Sequence, residues 1–427
     1  MAASPQSSAP LALGDPATFA DGVPHEALAE MRRTTPVAWC PMPSTPGAPG
    51  QTGTEGSGDG DGQPGFHAVL AHADVVTVAR EPVLFSASEG GVVLEDLPAE
   101  DLEMMRNMLL AMDPPRHITY RRPLAETFRV KVIAGLEDQI RGICRSILAE
   151  AAEAGDVELV HDVAAHLPTQ VMGRLMGLPT EDWDLLHSLA ERQTAGQDPE
   201  VTGGEADHSA SIEMAMYAIA FAADRRTQPP REDLTTLILD GDFGGEPMSD
   251  VDFGSFFVQL VTAGNDTTRT MLSSGTLALL QHPDQLADLR ADPSLIPGAV
   301  EEILRWANPL HYFRRTATAD TELHGVPIAA GDKVVMHYTA ANRDDEVFAD
   351  AQAFDIRRDP NPHLSFGIAE HFCLGVHLAR LEGRVFFEEL LATFDDITLT
   401  GDPVRLRSNL NNGYKRVPVR LGRSAGG

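Results

Sequence analysis

The chain has 427 residues, of which 33 are lysine or arginine and 63 aspartate or glutamate, so its formal charge is −30; 43% of it is hydrophobic. That field repels nucleic-acid phosphate and anionic lipid, which excludes both as expected partners. No run approaches the ~18 apolar residues of a membrane span, and three scattered cysteines, Cys40, Cys144 and Cys373, do not make a disulfide framework.

Residues 1–15 lack a basic region followed by an apolar one, and read as a disordered tail rather than a secretory signal. Pro36 to Trp39 and Phe66 to Leu70 are strand-like and flank Ser44 to Gly65, a stretch made almost entirely of Gly, Pro, Ser, Thr and Asp. This predicts a β-hairpin whose tip carries a low-complexity surface insertion at 44–65, inside one domain covering 16–427. In Asp113-Pro114-Pro115-Arg116-His117, the prolines introduce a helix on which His117 and Arg121 lie one turn apart.

The longest predicted helix runs from Ser249, as N-cap with Asp252 three positions on, to about Leu280. In its middle sits Ala263-Gly264-Asn265-Asp266-Thr267-Thr268, a run of poor helix formers between apolar segments. A buried polar patch that weakens its own helix marks a site of function; the alternative is a satisfied polar cluster that bends the helix through threonines bonded back to carbonyls. Pro297 to Trp306 forms a further helix, with Glu302 and Arg305 at i and i+3, a spacing also common in surface pairs. Asp332 to Met336 is strand-like, and the predicted class is mainly α with small β-sheets.

Most informative is Phe366-Gly367-Ile368-Ala369-Glu370-His371-Phe372-Cys373-Leu374-Gly375, followed at once by a helical run from Val376 to Leu391. A cysteine at a helix N-terminus faces unpaired N–H groups and the dipole, which favour the thiolate. Gly375 removes a side chain where something large approaches the backbone. The same residues allow a buried structural cysteine, a zinc site of His371, Cys373 and His377, or a nucleophile with His371 as its base.

The loop resembles the haem-binding loop of the cytochrome P450 family, with Phe366, Gly367, His371, Cys373 and Gly375 matching and Ala369 standing where glycine is usual. The resemblance continues in order: Ala263 to Thr268 is similar to the oxygen-activation motif, and Glu302 and Arg305 to the Glu-x-x-Arg pair. It implies the cytochrome P450 fold, with haem b between the long central helix and the cysteine-loop helix. Cys373 is then the axial ligand of the haem iron, Phe366 packs by the sulfur, and His117, Arg121, Arg315 and His371 hold propionates. Gly264 leaves room for dioxygen, Thr267 hydrogen-bonds the bound oxygen and Asp266 relays protons. The family's third partner for the Glu-x-x-Arg pair falls at Ala353, so Arg357 or Arg358 is expected to take its place.

What the resemblance implies is a cytoplasmic, monomeric monooxygenase that hydroxylates a steroid, terpenoid or lipid chain. Its electrons come from NAD(P)H through a ferredoxin and its reductase. Epoxidation, oxidative coupling or demethylation in a biosynthetic pathway, and a haem sensor or carrier, are the alternatives. Val93, Leu94, Val258, Val261, Thr262, Leu310, Tyr312 and Leu410 are expected to line the substrate pocket, with His311 or Asn265 as a polar contact. Arg116, Arg122, Arg129, Lys131, Arg380 and Arg384 are expected to form a basic patch for an acidic ferredoxin.

Overall fold

A computed structural model of the chain describes residues 11–43, 64–194, 198–202, 209–245 and 247–422. Its larger sheet has β1 (Val37–Pro41), β2 (Gly65–Val69), β3 (Phe85–Ser86), β5 (Tyr312–Ala317) and β6 (Lys333–His337), in the order β1-β2-β6-β5-β3. The predicted hairpin is present, since β1 and β2 are antiparallel and pair Val37 with Val69 through to Pro41 with Gly65. Most of the insertion, 44–63, lies outside the described residues. Residues 11–15 correct the tail expectation: Leu13 is buried and the Asp15 side chain accepts from Ala17 N.

Side chains alternate across a strand, and here each face has its own core. Val37, Val69, Val334 and Met336 pack in one apolar cluster, while Ala38, Cys40, Phe66, Ala68 and Val335 pack in another. A smaller antiparallel sheet joins β4 (Asp156–Glu158), β8 (Pro418–Gly422) and β7 (Asp396–Leu399) in that order.

Helices make up the rest of the core. Those that position the site are α1 (Arg116–Ala125), α2 (Glu137–Ala154), α3 (His166–Leu175), α4 (Trp183–Thr194), α5 (Ser209–Arg225), α6 (Asp250–Gln281), α7 (Ile296–Ala307) and α8 (Val376–Thr393). The long helix α6, 32 residues and therefore ~48 Å, begins as the sequence predicts. Ser249 Oγ accepts from Asp252 N at 3.1 Å and donates to the Asp252 carboxylate at 2.8 Å. Pro297 stands in the first turn of α7, where a missing N–H leaves nothing unsatisfied. α2, α3, α6, α7 and α8 share one large hydrophobic cluster. No helix among the described residues is long and apolar enough to cross a membrane.

Candidate active site

The cysteine loop is set by two backbone constraints. Gly367 has φ +66°, a conformation that glycine adopts freely, and Ala369 is held at φ +59°, where an L side chain is strained. The departure from the family pattern therefore falls at a position that asks for glycine. Cys373 N donates to Phe366 O at 2.8 Å, which closes the loop, and Gly375 caps α8. A Cβ on Gly375 would meet nothing within 4 Å, as expected where a bulky group approaches the backbone.

Burial pushes the Cys373 thiol up, and the Gly375 N–H, Arg121 and Arg380 pull it down without overtaking that effect. Here burial outweighs the helix N-terminus, against the expectation of a lowered thiol. The zinc alternative fails, because His371, Cys373 and His377 do not converge as a ligand set among the described residues. No hydrogen bond joins His371 to the sulfur, so the nucleophile reading has no base in place.

Cys373 shares a cavity with His117, Arg121, Arg315, Phe366, Gly367, His371 and Gly375, and with Gly264, Thr267 and Thr268 of α6. The His117 and His371 rings stand 4.4 Å apart. Both ring nitrogens of buried His117, and Nε2 of His371, have no hydrogen-bond partner. Burial, then Arg121 and Arg315, lower His117 to about 4; burial, then Arg315, His117 and Arg121, lower His371 to about 2. Two guanidiniums and two neutral imidazoles with open nitrogens make a cradle for a dianion, and the nearby Asp113 is occupied by Ser88 Oγ and Ala87 N at 2.9 and 2.8 Å. This donor set, with one thiol on the same cavity, fits a haem and its two propionates.

On α6, Thr267 Oγ1 donates to Ala263 O at 2.8 Å. Its single hydrogen is thereby used, and only its acceptor lone pairs remain for the cavity. Asp266 is buried, with Arg269 Nη2 3.4 Å from its Oδ1. Gly264 lines the cavity and has a second neighbour. A Cβ there would lie 2.8 Å from Met172 Sδ, so besides lining the cavity the glycine admits the Met172 side chain of α3 against α6.

Glu302 and Arg305 are fully buried, not a surface pair. Glu302 accepts from Arg305 Nε and Nη2 (both 2.7 Å), Asp355 N (2.8 Å), Arg358 Nε (3.1 Å) and Asn361 Nδ2 (3.2 Å). Arg305 in turn donates to the carbonyls of Asn342, Ala351 and Ala353. Arg358 thus supplies the third partner, whereas Arg357 turns away to Asp288 at 2.6 Å.

Of the eight expected pocket residues only Leu310 lines the cavity. Val258 and Val261 face the main core, and Thr262 donates to Gln193 Oε1 at 2.6 Å. Leu94, Tyr312 and Leu410 pack with the sheet, Tyr312 Oη accepting from Leu94 N, and the Val93 carbonyl accepts from Arg314. His311 is buried against Phe19 and Thr339, away from the cavity, and Asn265 is buried on α6 without lining it. The apolar lining comes instead from Leu109, Leu110, Phe128, Met172, Leu260 and Phe313. Half of the expected basic patch is neutralised. Arg380 pairs with Glu301 at 2.7 Å, Arg384 with Glu137 at 2.5 Å and Arg129 with Glu126; Arg116, which bonds the neutral Asn107 side chain, Arg122 and Lys131 have no ion pair among the described residues.

A family model described as cytochrome P450 matches residues 208–415. The chain is 38% identical over 401 residues to a steroid C26-monooxygenase of Mycolicibacterium smegmatis, covering 93% of this chain and 90% of the relative. It is 37% identical over 406 residues to a methyl-branched lipid omega-hydroxylase of Mycobacterium bovis, covering 93% and 91%. Among solved structures, a Mycobacterium marinum cytochrome P450 in complex with pseudoionone superposes with a TM-score of 0.88 at 36% identity, covering 98% of this chain and all of that one.

Proposed function

The chain belongs to the cytochrome P450 family and is a haem monooxygenase, and we propose that it hydroxylates the aliphatic part of a steroid, terpenoid or branched lipid. The observation that carries this reading is the single cavity in which the Cys373 loop, the cationic cradle and the Ala263–Thr268 segment meet an apolar lining. Cys373 would ligate the haem iron, with Phe366, Gly367 and Gly375 shaping the loop around it. His117, Arg121, Arg315 and His371 hold the propionates. Bound there, haem supplies the one-electron and dioxygen chemistry, with a thiolate ligand that favours O–O cleavage.

The remaining work falls to side chains. With its hydrogen given to Ala263 O, Thr267 Oγ1 accepts a hydrogen bond from a water in the cavity and holds that proton donor in place. Asp266, set by Arg269, holds the next proton on its carboxylate and passes it inward. Leu109, Leu110, Phe128, Leu260 and Phe313 exclude water and bind the aliphatic substrate through burial alone, and flexible Met172 fits the lining to its shape.

The names of the relatives support the substrate class. Residues 16–427 act as one catalytic unit, monomeric and cytoplasmic, that takes electrons from NAD(P)H through a ferredoxin and its reductase. Because half of the proximal cations are already paired, docking rests on Arg116, Arg122, Lys131 and local shape more than on net charge.

The test is a spectral titration with a panel of sterols, terpenoids and branched fatty acids, followed by product analysis under isotopically labelled dioxygen. A low-to-high-spin shift with an aliphatic ligand, and one labelled oxygen atom in the product, is the expected result. Spin shifts only with polar ligands, or products lacking the label, would overturn it.

A further inference from the structure

We propose that His161, His187 and Glu191 form a binding site for a divalent metal of the zinc class, separate from the haem cavity. His187 and Glu191 are four residues apart on α4 and so share one face. His161 reaches them from the π-helical turn Leu159–Ala164, which the Glu158 carboxylate anchors by accepting from Val160 N and His161 N. One ligating atom from each residue lies within 4.8 Å of the other two.

The hydrogen bonds around the cluster fix which nitrogens carry protons. His161 Nε2 is 3.1 Å from the Lys415 carbonyl, which only accepts, so Nε2 holds the hydrogen and Nδ1 a lone pair. That lone pair stands 3.3 Å from Glu191 Oε1, another acceptor. A metal ion between two such acceptors satisfies both, as would a second proton on His161. Two ligands at ~2.0–2.1 Å from a tetrahedral metal are separated by roughly 3.3–3.4 Å, which is this spacing. Thr169 Oγ1 gives its hydrogen to Ala165 O at 2.8 Å, so at 3.4 Å it can only accept from His187 Nδ1. His187 Nε2 is then left with its lone pair. Each histidine therefore has the outer hydrogen-bond partner that orients a metal-bound imidazole.

The electrostatics agree. Arg269 lies 3.2 Å from Glu191 Oε1 but is shared with Asp266 at 3.4 Å, so a second carboxylate offsets its charge. The His161 side chain is 38% exposed, which gives an ion a path from solvent and leaves a fourth position for water.

The experiment is zinc titration of the chelator-treated, haem-loaded enzyme by calorimetry and equilibrium dialysis, with haem blocking the Cys373 sulfur. The expected result is one zinc per chain at micromolar or tighter affinity, weakened roughly tenfold or more in His161→Ala, His187→Ala and Glu191→Gln. Thr169→Val, which leaves all three ligands and removes only the His187 partner, should weaken it by roughly 10–100-fold, with the Soret band and circular dichroism unchanged. Two results would overturn the site. One is no stoichiometric uptake, which would mean that a proton on His161 bridges it to Glu191; the other is uptake unaltered in all four variants.

Discussion

Arg357 and Arg358 are neighbours in sequence with opposite roles, and replacing each by alanine separates them. Arg358 gives Glu302 one charge-assisted hydrogen bond at 3.1 Å from a side chain that is 7% exposed. Its guanidinium also caps the Ala349, Asp350 and Ala353 carbonyls. Without it the Glu302 carboxylate keeps four donors, from Arg305 twice, Asp355 and Asn361, so no buried charge is orphaned. The three carbonyl bonds are exposed and water can replace them, so the loss is chiefly one bond to a charged group, about 1.5–3 kcal/mol. Arg357 pairs with Asp288 where both side chains are about half exposed, so its removal costs about 0–1 kcal/mol. Arg305→Ala leaves Glu302 short of two donors and the Asn342 and Ala351 carbonyls in need of partners, while Ala353 keeps Arg358, and the effect rises to about 3–5 kcal/mol. Urea unfolding of the haem-loaded variants, followed by circular dichroism, gives the ranking directly. Equal effects at 357 and 358, or Arg358 outweighing Arg305, would refute the assignment of Arg358 as the third partner.

Two further outcomes follow from strained or buried groups. Ala369→Gly removes a left-handed alanine worth about 1–2 kcal/mol of strain but adds about 0.4–1 kcal/mol of unfolded-state freedom. A net stabilisation of about 0–1.6 kcal/mol is expected in the same urea assay, and a clear destabilisation would show that the methyl group packs usefully. Glu382 is buried in the cavity wall with Oε2 unpartnered, and burial raises it from 4.5 to about 8. Between those values the folded state binds a proton that the unfolded state has released. Its stability therefore falls with rising pH by about 1.4 kcal/mol per unit across the window. Glu382→Gln removes that slope, so its stability relative to the parent should climb from pH 5 to 8; a pH-independent difference would refute the burial effect.

The residues that the sequence and its family resemblance brought forward were those whose chemistry depends on type: Cys373, the cradle residues His117, Arg121, Arg315 and His371, Thr267 and the Glu302–Arg305 pair. A thiol, a cation or a hydroxyl in an apolar segment needs a reason, and the structure gathers these in one cavity and one buried hub. Apolar pocket residues carry no such mark. A valine pointing into the core and one pointing into a cavity look alike, which is why Val258 and Val261 were misplaced. The period of α6 did hold the answer. Counting back from Thr267 by one and two helical turns reaches Gly264, Ala263 and Leu260, which line the cavity, and passes over Val261 and Thr262. The paired state of Arg380 and Arg384 was beyond reach because their partners, Glu301 and Glu137, are 79 and 247 positions away.

The most direct test of the haem-thiolate assignment is the carbon monoxide difference spectrum of the reduced protein, beside that of Cys373→Ser. A strongly red-shifted Soret band in the parent that is lost in the variant is the expected result. A band at the position of histidine-ligated haem, or one that survives loss of the Cys373 sulfur, would contradict it.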